Sequence, residues 1–189
     1  SGRNITAYLS IPATVPAPAV ILLHGGYGLT EVYRSRATTY SEQGFVALAV
    51  DLFDGETATT LDQALSLVGR ANVFPEHSTE TLVAWIDWLK ADARTTKKIA
   101  AIGWSFGATW ALIASSVSAL DAAILYYGGT NIYSIDLTGL KAPVLGHFGE
   151  RDTDPHPNSV RRFAAEMAKE GKAIDVRWYD ADHAFDNPM

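Results

Sequence analysis

Seven short apolar runs of mostly β-forming residues punctuate the chain, near residues 5–9, 20–23, 45–50, 98–103, 122–127, 143–148 and 174–179. They read as continuous rather than alternating, as Val20-Ile21-Leu22-Leu23 and Val46-Ala47-Leu48-Ala49-Val50 show. A strand that is apolar on both sides needs cover on both sides, so the pattern predicts a mostly parallel sheet with helices on both faces. The segments between carry the helical period. Leu82, Trp85, Ile86 and Leu89 recur at i, i+3, i+4 and i+7 behind Ser78 as N-cap, and Val160, Phe163, Ala164 and Met167 repeat the spacing. Both stripes are expected to face the core rather than a ligand. Strands alternate with helices through all 189 residues without repeat, linker or low-complexity run, which predicts a single α/β domain over residues 1–189.

The run Lys98-Ile99-Ala100-Ala101-Ile102 leads straight into Gly103-Trp104-Ser105-Phe106-Gly107, and a helix-like run follows from Ala108 to Ser116. Alone, a G-x-S-x-G pentapeptide is a weak signal in a chain with 15 glycines. Its place between a strand and a helix makes it informative. A serine on such a turn is lifted above the sheet edge, and the flanking glycines permit backbone that a Cβ would obstruct. The following helix aims its first N–H groups and positive dipole end at negative charge forming beside Ser105. The arrangement resembles the nucleophile elbow of an α/β-hydrolase.

A serine hydroxyl is a weak nucleophile at neutral pH, so an imidazole must accept its proton and a carboxylate must orient the imidazole. In this fold the order is Ser, acid, His. Three histidines follow Ser105. His147 lies in the strand Pro143–Phe148 and reads as a hydrogen-bonded core residue, and His156, between two prolines, reads as a loop residue. His183 follows the last strand in Asp180-Ala181-Asp182-His183-Ala184-Phe185, where a mobile general base belongs. For the acid, Gly149-Glu150-Arg151-Asp152-Thr153-Asp154 offers three carboxylates. Asp152 is preferred because it ends the G-x-x-D turn of this fold, with Asp154 and then Glu150 behind it; acids left over would cap the helix near Asn158 or solvate the loop. The oxyanion hole needs two backbone N–H groups. One is expected from Phe106, and the other from Gly26, or else Tyr27, in the loop His24-Gly25-Gly26-Tyr27-Gly28 that follows the second strand. His24, ahead of Ser105 at a buried strand end, is read as structural. Tyr27, Trp104, Phe106 and Tyr127 are expected around an apolar substrate cleft, with Arg34, Arg70 and Arg151 as partners for a substrate carboxylate.

With these pieces together, the chain resembles the dienelactone hydrolase family. The matching segments are Gly25-Gly26-Tyr27-Gly28-Leu29 with Arg34 beyond, Gln43 to Phe53, Gly103-Trp104-Ser105-Phe106-Gly107, Tyr126-Tyr127-Gly128, Gly149-Glu150-Arg151-Asp152 and His183-Ala184-Phe185, in the family's order from about residue 20 to 187. The resemblance implies an α/β-hydrolase fold and ester or lactone hydrolysis without a cofactor. It also marks departures. Archetypal members use a cysteine nucleophile and a first-loop glutamate that interacts with the thiol; this chain has no cysteine, and Gly25 stands at the glutamate's position. Where they have an arginine that holds the substrate carboxylate, this chain has Asn187. Hydrolysis therefore carries over further than the dienelactone substrate. The chain ends at Met189, shortly after the proposed base, where α/β-hydrolases normally have one more helix, so either a minimal form or a missing C-terminal segment is expected.

Composition narrows the alternatives. Lys and Arg number 15 against 21 Asp and Glu, a net charge of −6 without a basic stripe, which argues against a nucleic-acid partner. The longest apolar stretch, Ala108–Ala114, is too short to span a bilayer, so no membrane association is expected. Without cysteine there is no disulfide and no thiolate metal site, and no H-E-x-x-H spacing suggests another metal. The expectation is a cytoplasmic, cofactor-free monomer or homodimer acting on a small ester or lactone. Two competing readings are a small serine peptidase of the prolyl-peptidase type and a ligand-binding hydrolase relative with slow or no turnover.

Overall fold

The computed structural model describes residues 4–131 and 135–187. Two compact units divide at residue 99. The first contains β1 (Ala7–Ser10), β2 (Ala17–Leu23), α1 (Glu31–Glu42), β3 (Val46–Val50), α2 (Leu61–Val73), α3 (Pro75–Ala91) and the start of β4 (Thr95–Trp104). β3 runs parallel to β2 and antiparallel to β1. Every β3 residue and Ala19 to Leu23 of β2 are buried, as apolar runs covered on both faces must be. Leu82, Ile86 and Leu89 of α3 are fully buried, whereas Trp85 is partly exposed. The expected Ser78 cap is corrected: α3 begins a turn earlier at Pro75, and Ser78 is buried inside it. A proline in the first turn has φ preset for the helix and lacks an N–H that the ladder could not use there, so it outcompetes a downstream serine.

In the second unit β4 continues to Trp104, followed by α4 (Phe106–Val117), β5 (Ala122–Tyr126), β6 (Val144–Gly149), α5 (Pro157–Lys169) and β7 (Ile174–Tyr179). These four strands form a parallel ladder in sequence order. Through β4 the strand order is β1-β3-β2-β4-β5-β6-β7, a seven-stranded, mostly parallel sheet of α/β-hydrolase type. Val160, Phe163 and Met167 of α5 are fully buried, and α5 packs on β6 and β7. The N-cap of α5 is His156, whose Nδ1 accepts from the Asn158 N–H at 3.1 Å, so none of the three nearby acids is needed there. Several strands depart from the expected continuous burial, with β5 and β6 alternating buried and half-buried positions. β7 alternates half-buried and exposed positions because it is an edge strand, with β6 on one side only. Because β4 to β7 are parallel, the loops after β4, β6 and β7 leave from one edge of the sheet, the carboxyl edge where open α/β sheets bind ligands.

Candidate active site

Ser105 is the single residue between β4 and α4, with φ 52° and ψ −115°. A non-glycine residue in such a region costs on the order of 1–3 kcal/mol and persists only where its surroundings fix it. Here the Ser105 N–H donates to the Tyr126 carbonyl at 2.9 Å, and the Ser105 carbonyl accepts the Ala108 N–H at 3.0 Å, which turns the chain into α4. The turn has room for no extra atom. A Cβ at Gly103 would collide with the Gly107 carbonyl and lie 2.6 Å from the Ala108 nitrogen, and one at Gly128 would lie 2.9 Å from the Ser105 Cα.

From this turn the Ser105 Oγ faces His183 Nε2 at 3.1 Å, and His183 Nδ1 faces Asp152 Oδ2 at 2.9 Å. A carboxylate only accepts, so Nδ1 carries the proton and donates, leaving the Nε2 lone pair toward the hydroxyl. The Asp152 side chain is fully buried, and its other oxygen accepts the Asp154 N–H at 2.9 Å. Asp154 and Glu150 are exposed. Of the three candidate acids, Asp152 is the one joined to His183, because the turn after β6 points its side chain inward and theirs outward.

The loop carrying His183 is held at several points. Its start is fastened by the Arg151 N–H to the Ala181 carbonyl at 3.1 Å and by the Arg151 guanidinium, which pairs with Asp180 and lies 3.5 Å from Asp182. Gly149 lets it approach, since a Cβ there would collide with the Ala181 carbonyl. The Tyr127 ring lies edge-on to the imidazole, centroids 5.0 Å apart, and its hydroxyl donates to Asn187 Oδ1 at 3.3 Å.

The remaining histidines have other roles. His24 is fully buried; its Nε2 accepts the Leu52 N–H at 3.1 Å, so its Nδ1–H donates to the Gly25 carbonyl at 2.8 Å. Burial lowers its pKa to about 4, which keeps it a neutral support for the loop that begins at Gly25. His147 stacks on Tyr126 at 4.5 Å and bonds the Tyr179 hydroxyl at 2.8 Å, and partial burial lowers its pKa as well. In that first loop, Gly25 donates to the Tyr33 hydroxyl and accepts from Gly28, while Gly26 is backed by α2, with Val68 3.3 Å from where a Cβ would sit. Phe106, the other expected oxyanion donor, is the first residue of α4, where backbone N–H groups are not needed by the helix ladder.

The expected cleft residues fare differently. Tyr27 is 44% exposed and Arg34 is exposed on α1. Trp104 and Tyr127, expected to line the cleft, are each only 1% exposed, and this expectation is corrected. Trp104 is stacked on Tyr126 at 5.5 Å, while Tyr127 is covered by His183 and Phe185, so both support the site from beneath. Arg70 pairs with Glu56 at 2.7 Å and Arg151 with the acids of the His183 loop, so both guanidiniums are already engaged. Asp186, which accepts the Trp104 indole N–H at 2.8 Å, escaped the sequence reading, and Gly128, named there only as part of a matching segment, lies against Ser105. A cavity of about 300 Å³ also opens between the loops after β5 and β6, lined in part by Thr130, Asp154, Pro155, His156, Arg162 and Phe163. Among the described residues no helix is long and apolar enough to cross a membrane.

Comparison with known proteins agrees with this architecture. The sequence model of the dienelactone hydrolase family matches residues 5–189. The chain belongs to the dienelactone hydrolase family. Among its relatives, Protein usf of Aquifex pyrophilus is 26% identical over 99% of this chain and 84% of its own length. Carboxymethylenebutenolidase of Pseudomonas putida is 26% identical over 97% of this chain and 81% of its own. A dienelactone hydrolase-like promiscuous phosphotriesterase from metagenomic libraries shares the fold, with a TM-score of 0.83 at 22% identity over 97% of this chain and 85% of that one.

Proposed function

We propose that this dienelactone hydrolase family member hydrolyses small carboxylic esters or lactones through an acyl-enzyme on Ser105. The observation that carries the reading is the unbroken row from Ser105 Oγ through His183 to buried Asp152, at 3.1 and 2.9 Å, in the tautomer that leaves Nε2 free to take a proton. His183 Nε2 removes the hydroxyl proton as Ser105 Oγ bonds to the acyl carbon. Asp152 holds the ring and offsets the charge of the imidazolium. The Phe106 N–H at the start of α4 stabilises the oxyanion, a contribution worth about 3–4 kcal/mol per donor in related chemistry. Collapse of the tetrahedral species breaks the ester C–O bond and passes the proton from His183 to the departing alcohol. Water, deprotonated by the same nitrogen, then releases the acid and restores the Ser105 hydroxyl.

Substrate preference follows from which cations remain. Asn187 stands where the family's arginine would hold a carboxylate, and Arg70 and Arg151 already face acids. A charge-assisted hydrogen bond is roughly twice as strong as a neutral one, so anionic lactones lose their advantage. The test is a panel of short- and long-chain aryl esters, dienelactone and a proline anilide, with Ser105→Ala alongside. Short-chain aryl esters should show the highest kcat/KM, and Ser105→Ala should abolish turnover by several orders of magnitude. Dienelactone on top would overturn the substrate reading, and the anilide on top would make the protein a peptidase. No turnover of any of them would overturn the enzymatic reading in favour of a binding role.

A further inference from the structure

Three features of the base loop converge on Asp186. Trp104, the residue immediately before Ser105, is clamped by a row of stacked rings across three strands: Trp104 on Tyr126 at 5.5 Å and 13°, and Tyr126 on His147 at 4.5 Å and 14°. Its one polar atom, the indole Nε1, donates to Asp186 Oδ2 at 2.8 Å. Asp186 in turn lies inside a backbone turn, closed by the Asn187 N–H to the Ala184 carbonyl at 3.0 Å, that begins with the residue after His183. Ala184 itself has φ 60°, a left-handed conformation that a β-carbon disfavours, so the turn needs an external restraint to hold it.

We propose that Asp186 is a positioning residue for His183: by gripping the Trp104 indole it ties the far end of the base's loop to the strand end that carries the nucleophile. The proposal rests on the reading of Ser105 and His183 as nucleophile and base. Arg151 fastens the near end of the loop, through Ala181, Asp180 and Asp182, and Asp186 fastens the far end, with His183 between the two. Only the far tie reaches β4. Phe185 packs between Tyr127 and Tyr179 at 5.3 and 5.0 Å, an apolar contact that sets the height of the loop but leaves it freedom to slide, which the longer 3.3 Å bond from the Tyr127 hydroxyl to Asn187 restricts only in part. The indole to carboxylate bond is directional and removes that freedom. A shift of about 1 Å at a reacting group costs on the order of a hundredfold in rate.

The experiment compares Asp186→Ala, Asp186→Asn and Trp104→Phe for kcat, KM and thermal midpoint on a short-chain aryl ester, with His183→Ala as the reference. Asp186→Ala should lower kcat 10- to 100-fold with KM changed less than threefold. Asp186→Asn retains a carbonyl acceptor for the indole and should stay within about threefold of the parent. Trp104→Phe, which removes the donor, should match Asp186→Ala, and the double variant should be no slower than either. A kcat for folded Asp186→Ala equal to the parent's would overturn the proposal, as would equal losses for Asp186→Ala and Asp186→Asn. Should Asp186→Ala not fold, Trp104→Phe reads the same tie, and a parental kcat there overturns it. If His183→Ala itself keeps full activity, the fault lies in the assignment of the base.

Discussion

Acidification should weaken this fold through His24, a residue of the loop support rather than of the reacting row. The buried imidazole titrates at about 4 against 6.5 for an unburied one. Between those values the unfolded chain binds a proton that the folded protein refuses, so stability falls as pH drops through the window. The contribution is fully present above pH 6.5 and largely lost by pH 4. At about 1.4 kcal/mol per pH unit, the loss reaches roughly 3 kcal/mol. That is a large share of the roughly 5–15 kcal/mol that holds a domain together. Other groups titrate in the same range, so the comparison needs a variant in which only this one is removed. His24→Gln does not titrate and carries an oxygen that can accept the Leu52 N–H in place of Nε2. Urea unfolding of both proteins at pH 7, 6, 5 and 4.5 gives the difference in unfolding free energy directly. That difference should shrink by more than 2 kcal/mol between pH 7 and 4.5, with most of the change below pH 6. A difference independent of pH would refute the reasoning, because it would mean that His24 binds its proton alike in both states.

Further expectations concern the site. Asp152→Asn should lower kcat by several orders of magnitude through the wrong imidazole tautomer, while Asp154→Asn, whose contribution to the row is a backbone N–H, should stay within a few-fold of the parent in steady-state ester hydrolysis. Gly149→Ala places a methyl group against the Ala181 carbonyl, so it should push the His183 loop outward and lower kcat at least tenfold, while Gly171→Ala, an exposed left-handed position with open space around it, should affect only the melting temperature.

Much of the framework was legible because burial on both faces leaves an unmistakable trace. β3 reads Val-Ala-Leu-Ala-Val and nothing but a covered strand accommodates it. Ser105 was legible for a related reason, since the strand, the glycines and the helix each restrict the same turn. Where the sequence was less telling, side-chain direction decided the outcome. Three carboxylates lie within five residues after β6, and only the turn geometry sends Asp152 inward. Trp104 precedes the nucleophile and Tyr127 follows β5, and both read as cleft lining, yet both rings are buried, Trp104 stacked on Tyr126 and Tyr127 edge-on to His183 and Phe185. The tie from Trp104 to Asp186 spans 82 residues and has no local signature at all. Ser78 was misplaced because a good capping residue was preferred over the proline three positions before it.

Covalent labelling bears most directly on the central claim that Ser105 is the nucleophile of an acyl-transfer site. The folded protein is treated with a small fluorophosphonate, and its intact mass is measured before peptide mapping of the adduct. A single phosphonyl group on Ser105, absent from Ser105→Ala and strongly slowed in His183→Ala, is the predicted result. An adduct on any other serine, or equal labelling of Ser105→Ala, would contradict it.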